Sequence, residues 1–346
     1  MHGRIKITTP SPAPARALFI SMCTCAAAAA SPAHADISVW DFNVFSRSTI
    51  GSQGQGYGSD FEGASGSVQD AYFSNFGMKT VMSSSPSLPA AFYGGGNFTL
   101  NSGSVNSGGM YAAGNVNLYN ASISGDVHAG GSLNGSSGSI SGNLFLGGSR
   151  NTTGSLTISG AVSTQTPYAA PLDLIGVSNY FHQTSSFAAS LAPTTNYTNQ
   201  WGQIIIHAAG ERTIVNLSPT DYINAWGIRI DGAGTVVVNV GGTTISTGSK
   251  TWSYEGGASS RATLLNFYEA TTLTLSGGHN VNILATQAST TFSSGVINGT
   301  LVAGSLQGAG QVNWVGSFTG SSVIPSPATI PFMSAGLTMI CRRRRG

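Results

Sequence analysis

Asp60, Glu62 and Asp70 lie within one short stretch of the chain. Three neighbouring carboxylates are what a calcium site draws on, with backbone carbonyls completing the shell. The same side chains also serve as turn residues, because an Asp oxygen accepts bonds from nearby backbone amides. Both readings stay open for these three positions. Elsewhere the chemistry thins out. Within 94–162 the only acidic residue is Asp126, and within 264–318 it is Glu269. Polysaccharide lyases and hydrolases need two or three carboxylates converging on one face, so no catalytic residue is assigned. His128, His182, His207 and His279 are dispersed without ligand spacing. No G-x-S-x-G or phosphate-cradling loop occurs. No cofactor is expected, and calcium at Asp60, Glu62 and Asp70 is the one ion reading on offer.

The frame that must position these residues is unusual in composition. Of 346 residues only 8% are charged, against a typical quarter, and 47 are glycine. Such sparse charge disfavours both a solvated disordered tail and a phosphate-tracking surface. The net charge of +2 is a product of the ends. Arg4, Lys6, Arg16 and Arg342 to Arg345 supply seven of the fourteen basic residues, so seven remain against all twelve acids and the body carries −5. A mildly acidic body argues against nucleic acid as partner. Cys23, Cys25 and Cys341 also sit at the ends, so the body has neither disulfides nor thiolate metal sites.

Both ends read as addresses. Residues 1–35 have a basic start, an apolar run from Ala17 to Ala30, and Ala33-His34-Ala35 as a small-x-small cleavage site. This predicts a secretory signal and a mature chain beginning at Asp36. Over 321–346, Pro325-Ser326-Pro327 precedes an apolar stretch, Ala328 to Cys341, and then Arg342-Arg343-Arg344-Arg345. Fourteen apolar residues are short for a span but suit a transient membrane segment held by positive charge on the cytoplasmic side. The tail resembles the PEP-CTERM sorting signal of Gram-negative bacteria, with Pro-Ser-Pro standing where that signal has Pro-Glu-Pro. The resemblance implies an exosortase-type enzyme as processing partner.

Between the addresses the chain repeats. Gly96-Asn97, Gly114-Asn115, Gly131-Ser132 and Gly148-Ser149 recur at spacings of 18, 17 and 17. Apolar positions keep the same step: Phe98, Val116 and Leu133; Val105, Ile123, Ile140 and Ile158; Met110, Val127, Leu144 and Val162. Within a unit, Phe98-Thr99-Leu100 and Val116-Asn117-Leu118 alternate with the strand period. Three short strands per unit, separated by Gly, Asn and Ser, describe one coil of a β-solenoid. A second copy occupies 264–318, where Ile283 to Leu301, Ala285 to Ala303 and Ala288 to Leu306 are 18 apart and Leu275 to Phe292 is 17. The β-rich stretches 203–206, 213–217 and 235–240 extend the same stack, about ten to twelve coils and roughly 50–60 Å long by strand spacing. Residues 246–260 lose the period and read as a loop.

Two segments depart from the pattern. Over 171–191 glycine nearly vanishes, and Leu174, Val177, Phe181, Ala188 and Leu191 are spaced for one helical face between Pro171 and Pro193. A helix there lies along the solenoid flank. The 37–78 region holds Trp40, Phe42, Phe45, Tyr57, Phe61, Tyr72, Phe73 and Phe76. Its expected role is to cap the terminal edge of the stack against end-to-end pairing, with a glycan-stacking platform as the alternative. Asn97, Asn120, Asn134, Asn151, Asn196, Asn216 and Asn298 begin Asn-x-Ser/Thr triplets, which read as ladder and turn composition.

Taken together, Asp41-Phe42-Asn43-Val44-Phe45, Gly58-Ser59-Asp60-Phe61-Glu62-Gly63, the Gly-Gly-Asn and Ser-Ile-Ser-Gly-Asp-Val coils, Leu264 to Gly277 and Gly295 to Thr300 resemble the choice-of-anchor A family of bacterial surface proteins. The likeness covers 37–320, with an insertion at Ser46–Tyr57. It implies an ice-binding-like adhesive domain over 36–320: a right-handed β-solenoid flanked by a helix. The function expected is a secreted, non-enzymatic surface or matrix protein associating with exopolysaccharide or surface glycans, and touching the membrane only transiently or through its C-terminal segment. Two alternatives stand beside it. A polysaccharide-cleaving solenoid would need a groove of titratable residues. An ice binder would need threonines at coil spacing, of which Thr272 and Thr290, 18 apart, are one pair before Gly308 ends the row.

Overall fold

In the computed structural model, residues 38–322 are described. The leader reading at Ala33, Ala35 and Asp36, and the tail reading at Pro325, Ser326, Pro327 and Arg342 to Arg345, lie outside the described residues.

The first leg of the chain runs through β1 (Phe42–Ser46), β2 (Tyr57–Phe61), β3 (Ala64–Ser67), β4 (Ala71–Met78), β5 (Phe92–Gly94), β6 (Phe98–Val105), β7 (Met110–Ala112), β8 (Val116–Ile123), β9 (Val127–Ala129), β10 (Leu133–Ile140), β11 (Leu144–Leu146), β12 (Arg150–Ile158) and β13 (Val162–Ser163). From β3 to β12 each coil is a short strand followed by a long one. The long strand covers two faces, because it turns a corner at a left-handed residue: Ser102 in β6, Asn120 in β8, Gly138 in β10 and Gly154 in β12. At Gly138 the corner has no room for a side chain, since a Cβ would stand 1.8 Å from the Ala121 carbonyl oxygen of the coil below. The three short strands expected per coil are thus three faces built from two strands.

The second leg contains α1 (Leu174–Ser190), β14 (Tyr197–Gln200), β15 (Gln203–Ala208), β16 (Arg212–Leu217), α2 (Pro219–Asn224), β17 (Gly227–Gly232), β18 (Thr235–Val240), β19 (Thr244–Thr247), β20 (Thr251–Glu255), β21 (Thr263–Asn266), β22 (Thr272–His279), β23 (Asn282–Asn298), β24 (Leu301–Gly308) and β25 (Gln311–Asn313). The loop expected over 246–260 is strand in part: β19 ends there and β20 lies inside it. Its period was hidden because this coil is wider than those before it. The helical segment α2 was also missed, although Ser218 caps it through Asp221 N at 3.0 Å and Pro219 opens it.

The stacking order is not the chain order. Parallel pairing runs β16, β18, β21, β23, β24, β1, β3, β5, β7, β9, β11, β13, a column of twelve strands. At the usual strand spacing it is about 50 Å long. The first described coil lies in the middle; from it the chain coils outward to Ser163, returns by α1, restarts at the opposite end and coils back until β24 meets β1. The 37–78 aromatics therefore do not cap the stack. Tyr57, Phe61, Phe73 and Phe76 fill its lumen at mid-height, while Trp40, Phe42 and Phe45 pack under the helix. None of these seven faces solvent, so they form no glycan platform; Tyr72, the eighth of the set, is half-buried and borders an outer groove.

The aliphatic ladders read from sequence line the lumen except at the last rung, where Ile158 is half-buried and Val162 is exposed. Val105, Ile123 and Ile140 are stacked in register and buried. The pairing of Ile283 with Leu301 and of Ala285 with Ala303 also holds. Leu306 pairs with Thr290 and not with Ala288, because the register slips between Ala285 and Ser289. Helix α1 lies on the flank through Val177, Phe181 and Ala188, against Ile214, Val237, Leu264, Leu284 and Val302. The helix begins at Leu174 and not at Pro171, and Asp173 caps it, accepting from Gly176 N at 2.9 Å. A ladder of buried amides fastens it from below: Asn239 donates to the Ala188 carbonyl and to Asn216, and Asn266 to the Ser185 carbonyl and to Asn239, at 2.9–3.1 Å.

Candidate functional site

The predicted calcium residues are not brought together. Asp60 accepts from Gln311 at 3.3 Å, Glu62 from the Trp314 backbone at 2.8 Å, and Asp70 from the Asn97 backbone at 2.7 Å and the Tyr72 hydroxyl at 3.1 Å. Each carboxylate is thus occupied by protein donors. Burial pushes the Asp60 pKa up, partly offset by the Ser59 hydroxyl. Among the described residues no group of three or more His, Cys, Asp or Glu side chains is arranged to hold a metal ion.

What the fold does assemble is a polar face. The first half of each long strand points alternate residues outward, and parallel register puts like positions on successive rungs. One row runs Ser246, Thr274, Thr291 and Gln307. It resumes past the N-terminal coil as Tyr72, Thr99, Asn117, Asn134 and Asn151. Beside it Thr244, Thr272, Ser289 and Ser305 are in register. The threonine pair expected at Thr272 and Thr290 is not among these rows: Thr290 aligns with Leu273 and is buried, and Ser289 is the partner of Thr272.

The amides order one another. Asn151 donates to Asn134 at 3.2 Å, Asn134 to Asn117 at 2.8 Å, and Asn117 to the Thr99 hydroxyl at 3.0 Å. A neighbouring ladder at the coil edge links side-chain oxygens to the next rung's backbone, from Asp70 to Asn97 N, Asn97 to Asn115 N, Asn115 to Ser132 N and Ser132 to Ser149 N, at 2.7–3.0 Å. Side chains held this way lose little further rotamer freedom when a ligand arrives. The triplet asparagines Asn97, Asn134 and Asn151 are ladder members, as the sequence reading held.

The segment between β1 and β2 borders this face. Ser52 and Gln55 exchange backbone hydrogen bonds at 3.0 and 3.1 Å, making a tight turn with exposed Gln53 and Gly54 at its tip. Gln53 and Gly54 flank an open groove of about 410 Å³, shared with Tyr72, Asn97, Thr99, Asn115, Asn117 and Tyr119. A family model for ice-binding-like adhesive domains matches residues 38–314. The chain belongs to that family. No curated protein matches it, and neither does any solved structure. Membership in this adhesive-domain family accords with a surface role and with the solenoid.

Sequence reasoning missed three features of this adhesive domain. Tyr119 is 43% exposed on the polar face, at the outward position that Asn101 occupies one coil earlier and Ser137 one coil later. Reading outward as well as inward columns would have found it. Trp201 is 90% exposed and holds a left-handed backbone, φ 51°, while the indole of Trp226 donates to its carbonyl at 3.0 Å. Lys79 and Lys250 are buried: Lys79 donates to the Leu88 carbonyl at 2.8 Å, and Lys250 to the Ile223 and Ala225 carbonyls at the end of α2. Burial pulls both ammonium pKa values down. No helix among the described residues is long and apolar enough to cross a membrane.

Proposed function

We propose that this protein is exported, processed at its C-terminal segment by an exosortase-type enzyme, and acts at the cell surface or in the extracellular matrix as a non-enzymatic adhesive rod. It belongs, on this reading, with the choice-of-anchor A surface proteins, and its polar face engages exopolysaccharide. The observation that carries the reading is the pre-ordered amide ladder, Asn151 to Thr99, facing solvent on consecutive rungs. Weak hydrogen bonds repeated along a rigid face add up to avidity for a repeating polymer without a large ordering cost. Ice is less well served, because the Gln53-Gly54 turn and two tyrosines interrupt the face.

The test is fractionation of native cells with intact-mass analysis, followed by a polysaccharide array. Expected is a chain starting at Asp36, recovered with the surface or matrix fraction and retained by polysaccharide without turnover. Recovery of the uncleaved chain in the cytoplasm would overturn the export reading. Glycan cleavage abolished by one acidic substitution would replace adhesion by catalysis.

A further inference from the structure

Resting on that reading, we propose that the groove between Tyr72 and Tyr119 is the polysaccharide subsite, and that it selects an uncharged chain over a uronate or sulfated one. Its floor is Thr99 and Asn117, with the Asn117 amide already bound to the Thr99 hydroxyl at 3.0 Å. Asn97 and Asn115 line the coil-edge side. Tyr72 stands at one end and exposed Tyr119 at the other. Tyr119 lies two rungs beyond Tyr72 and two positions further along the strand, so their backbones are separated by about 12 Å. That span accommodates two sugar rings of an extended chain, each with an apolar C–H face for a phenol ring and equatorial hydroxyls for the amides between. Aromatic faces flanked by amide and hydroxyl groups match the alternation of apolar and polar surface on a pyranose.

Charge sets the preference for an uncharged polymer. The groove contains no Lys or Arg. The Asp70 carboxylate receives the Tyr72 hydroxyl at 3.1 Å and places negative charge at that end. Burial and this carboxylate together raise the Tyr72 pKa, so the phenol stays neutral. The two buried lysines are held by backbone carbonyls and are not available to a polymer. A polyanion entering here meets a carboxylate and no compensating cation, whereas an uncharged chain has no such cost.

The experiment is affinity electrophoresis of the purified full chain in gels containing a soluble neutral β-glucan, dextran or alginate, at low and high salt. Tyr119→Ala and Gln53→Ala both change exposed side chains, and their melting curves serve as fold controls. Expected is retardation by at least one neutral glucan, insensitive to salt, weaker by about tenfold in Tyr119→Ala for the loss of one stacking face, and weaker also in Gln53→Ala. Stronger retardation by alginate, lost at high salt, would overturn the selectivity while leaving polysaccharide adhesion standing. Neutral-glucan binding unchanged in both variants would overturn the groove alone. Failure of every polysaccharide to retard the wild-type chain would overturn the adhesion reading as well.

Discussion

His279 closes β22 with its ring in the lumen, 1% exposed. Its Nε2 lies 3.2 Å from the Ser276 carbonyl, so that nitrogen carries the proton, and its Nδ1 has no partner. Burial pulls the pKa from 6.5 to about 4, with the Ser276 carbonyl opposing and Lys250 adding to the fall. The unfolded chain takes up this proton as pH drops through 6.5, the folded one only near 4. Between those values unfolding binds a proton, so stability falls as the pH falls. At 1.36 kcal/mol per unit, the shift corresponds to roughly 2 kcal/mol lost at pH 5 and about 3 by pH 4, with none lost at pH 8. The clean perturbation is His279→Leu, because the rung neighbour of His279 is Ile297 and leucine continues an aliphatic ladder. Urea unfolding of both proteins at pH 8, 7, 6 and 5 isolates the residue: His128 and His182, which burial also shifts downward, are common to both and cancel. The stability gap in favour of the leucine protein is expected to widen by about 2 kcal/mol between pH 8 and pH 5. Parallel stability curves would refute the argument that a neutral imidazole is locked in the lumen.

Ile123→Ala removes one rung of the ladder between Val105 and Ile140. It is expected to cost about 3 kcal/mol in urea unfolding; a loss under about 1 kcal/mol would contradict a close-packed lumen. Trp201→Asn places a residue tolerant of positive φ where a bulky one now sits at 51°. A gain of about 1 kcal/mol, seen as a higher melting temperature, is expected; a destabilised variant would show that the exposed indole packs on something the fold needs.

The lumen was legible because its signal is periodic. Val105, Ile123 and Ile140 must point inward at one step, and only a stacked coil satisfies that spacing. Helix α1 was legible for the complementary reason, a glycine-poor stretch with one apolar stripe. The order of the coils was not legible. Nothing in the local pattern of 42–61 distinguishes a terminal coil from an internal one, since both bury aromatic residues; only the long-range pairing of β1 with β24 decides it. Between β22 and β23 the step here is 17 and not 18, so Ser289 meets Thr272 on the outer face and Thr290 meets Leu273 in the lumen, because one residue reverses the side a strand residue faces. The candidate groove escaped for a different reason. Its tyrosines and amides occupy the outward columns, where no burial constraint imposes a pattern.

The seam between β1 and β24 also explains what the acidic residues of the first coil are for. Asn43 is buried and donates to the Gly299 carbonyl at 2.9 Å while accepting from Gly63 N at 3.0 Å, tying the last, first and second coils together. Asp41 accepts from the Ser87 backbone at 2.8 Å and from the Ser317 hydroxyl, and Glu62 accepts from Trp314 N at 2.8 Å. These contacts join residues about 250 positions or more apart in the case of Asn43 with Gly299, Glu62 with Trp314 and Asp41 with Ser317. Such bonds form only after both legs of the stack exist, because closing a long loop must be compensated by contacts already made. Until then β1 presents one unpaired edge, and its pairing groups are satisfied on that side only when residues 301–303 arrive. The Ser-Asp-x-Glu-Gly segment, which from sequence alone offers a carboxylate cluster for an ion, is in the fold a clasp: Asp60 takes the Gln311 side-chain amide and Glu62 the Trp314 backbone amide, which joins the first described coil to the last.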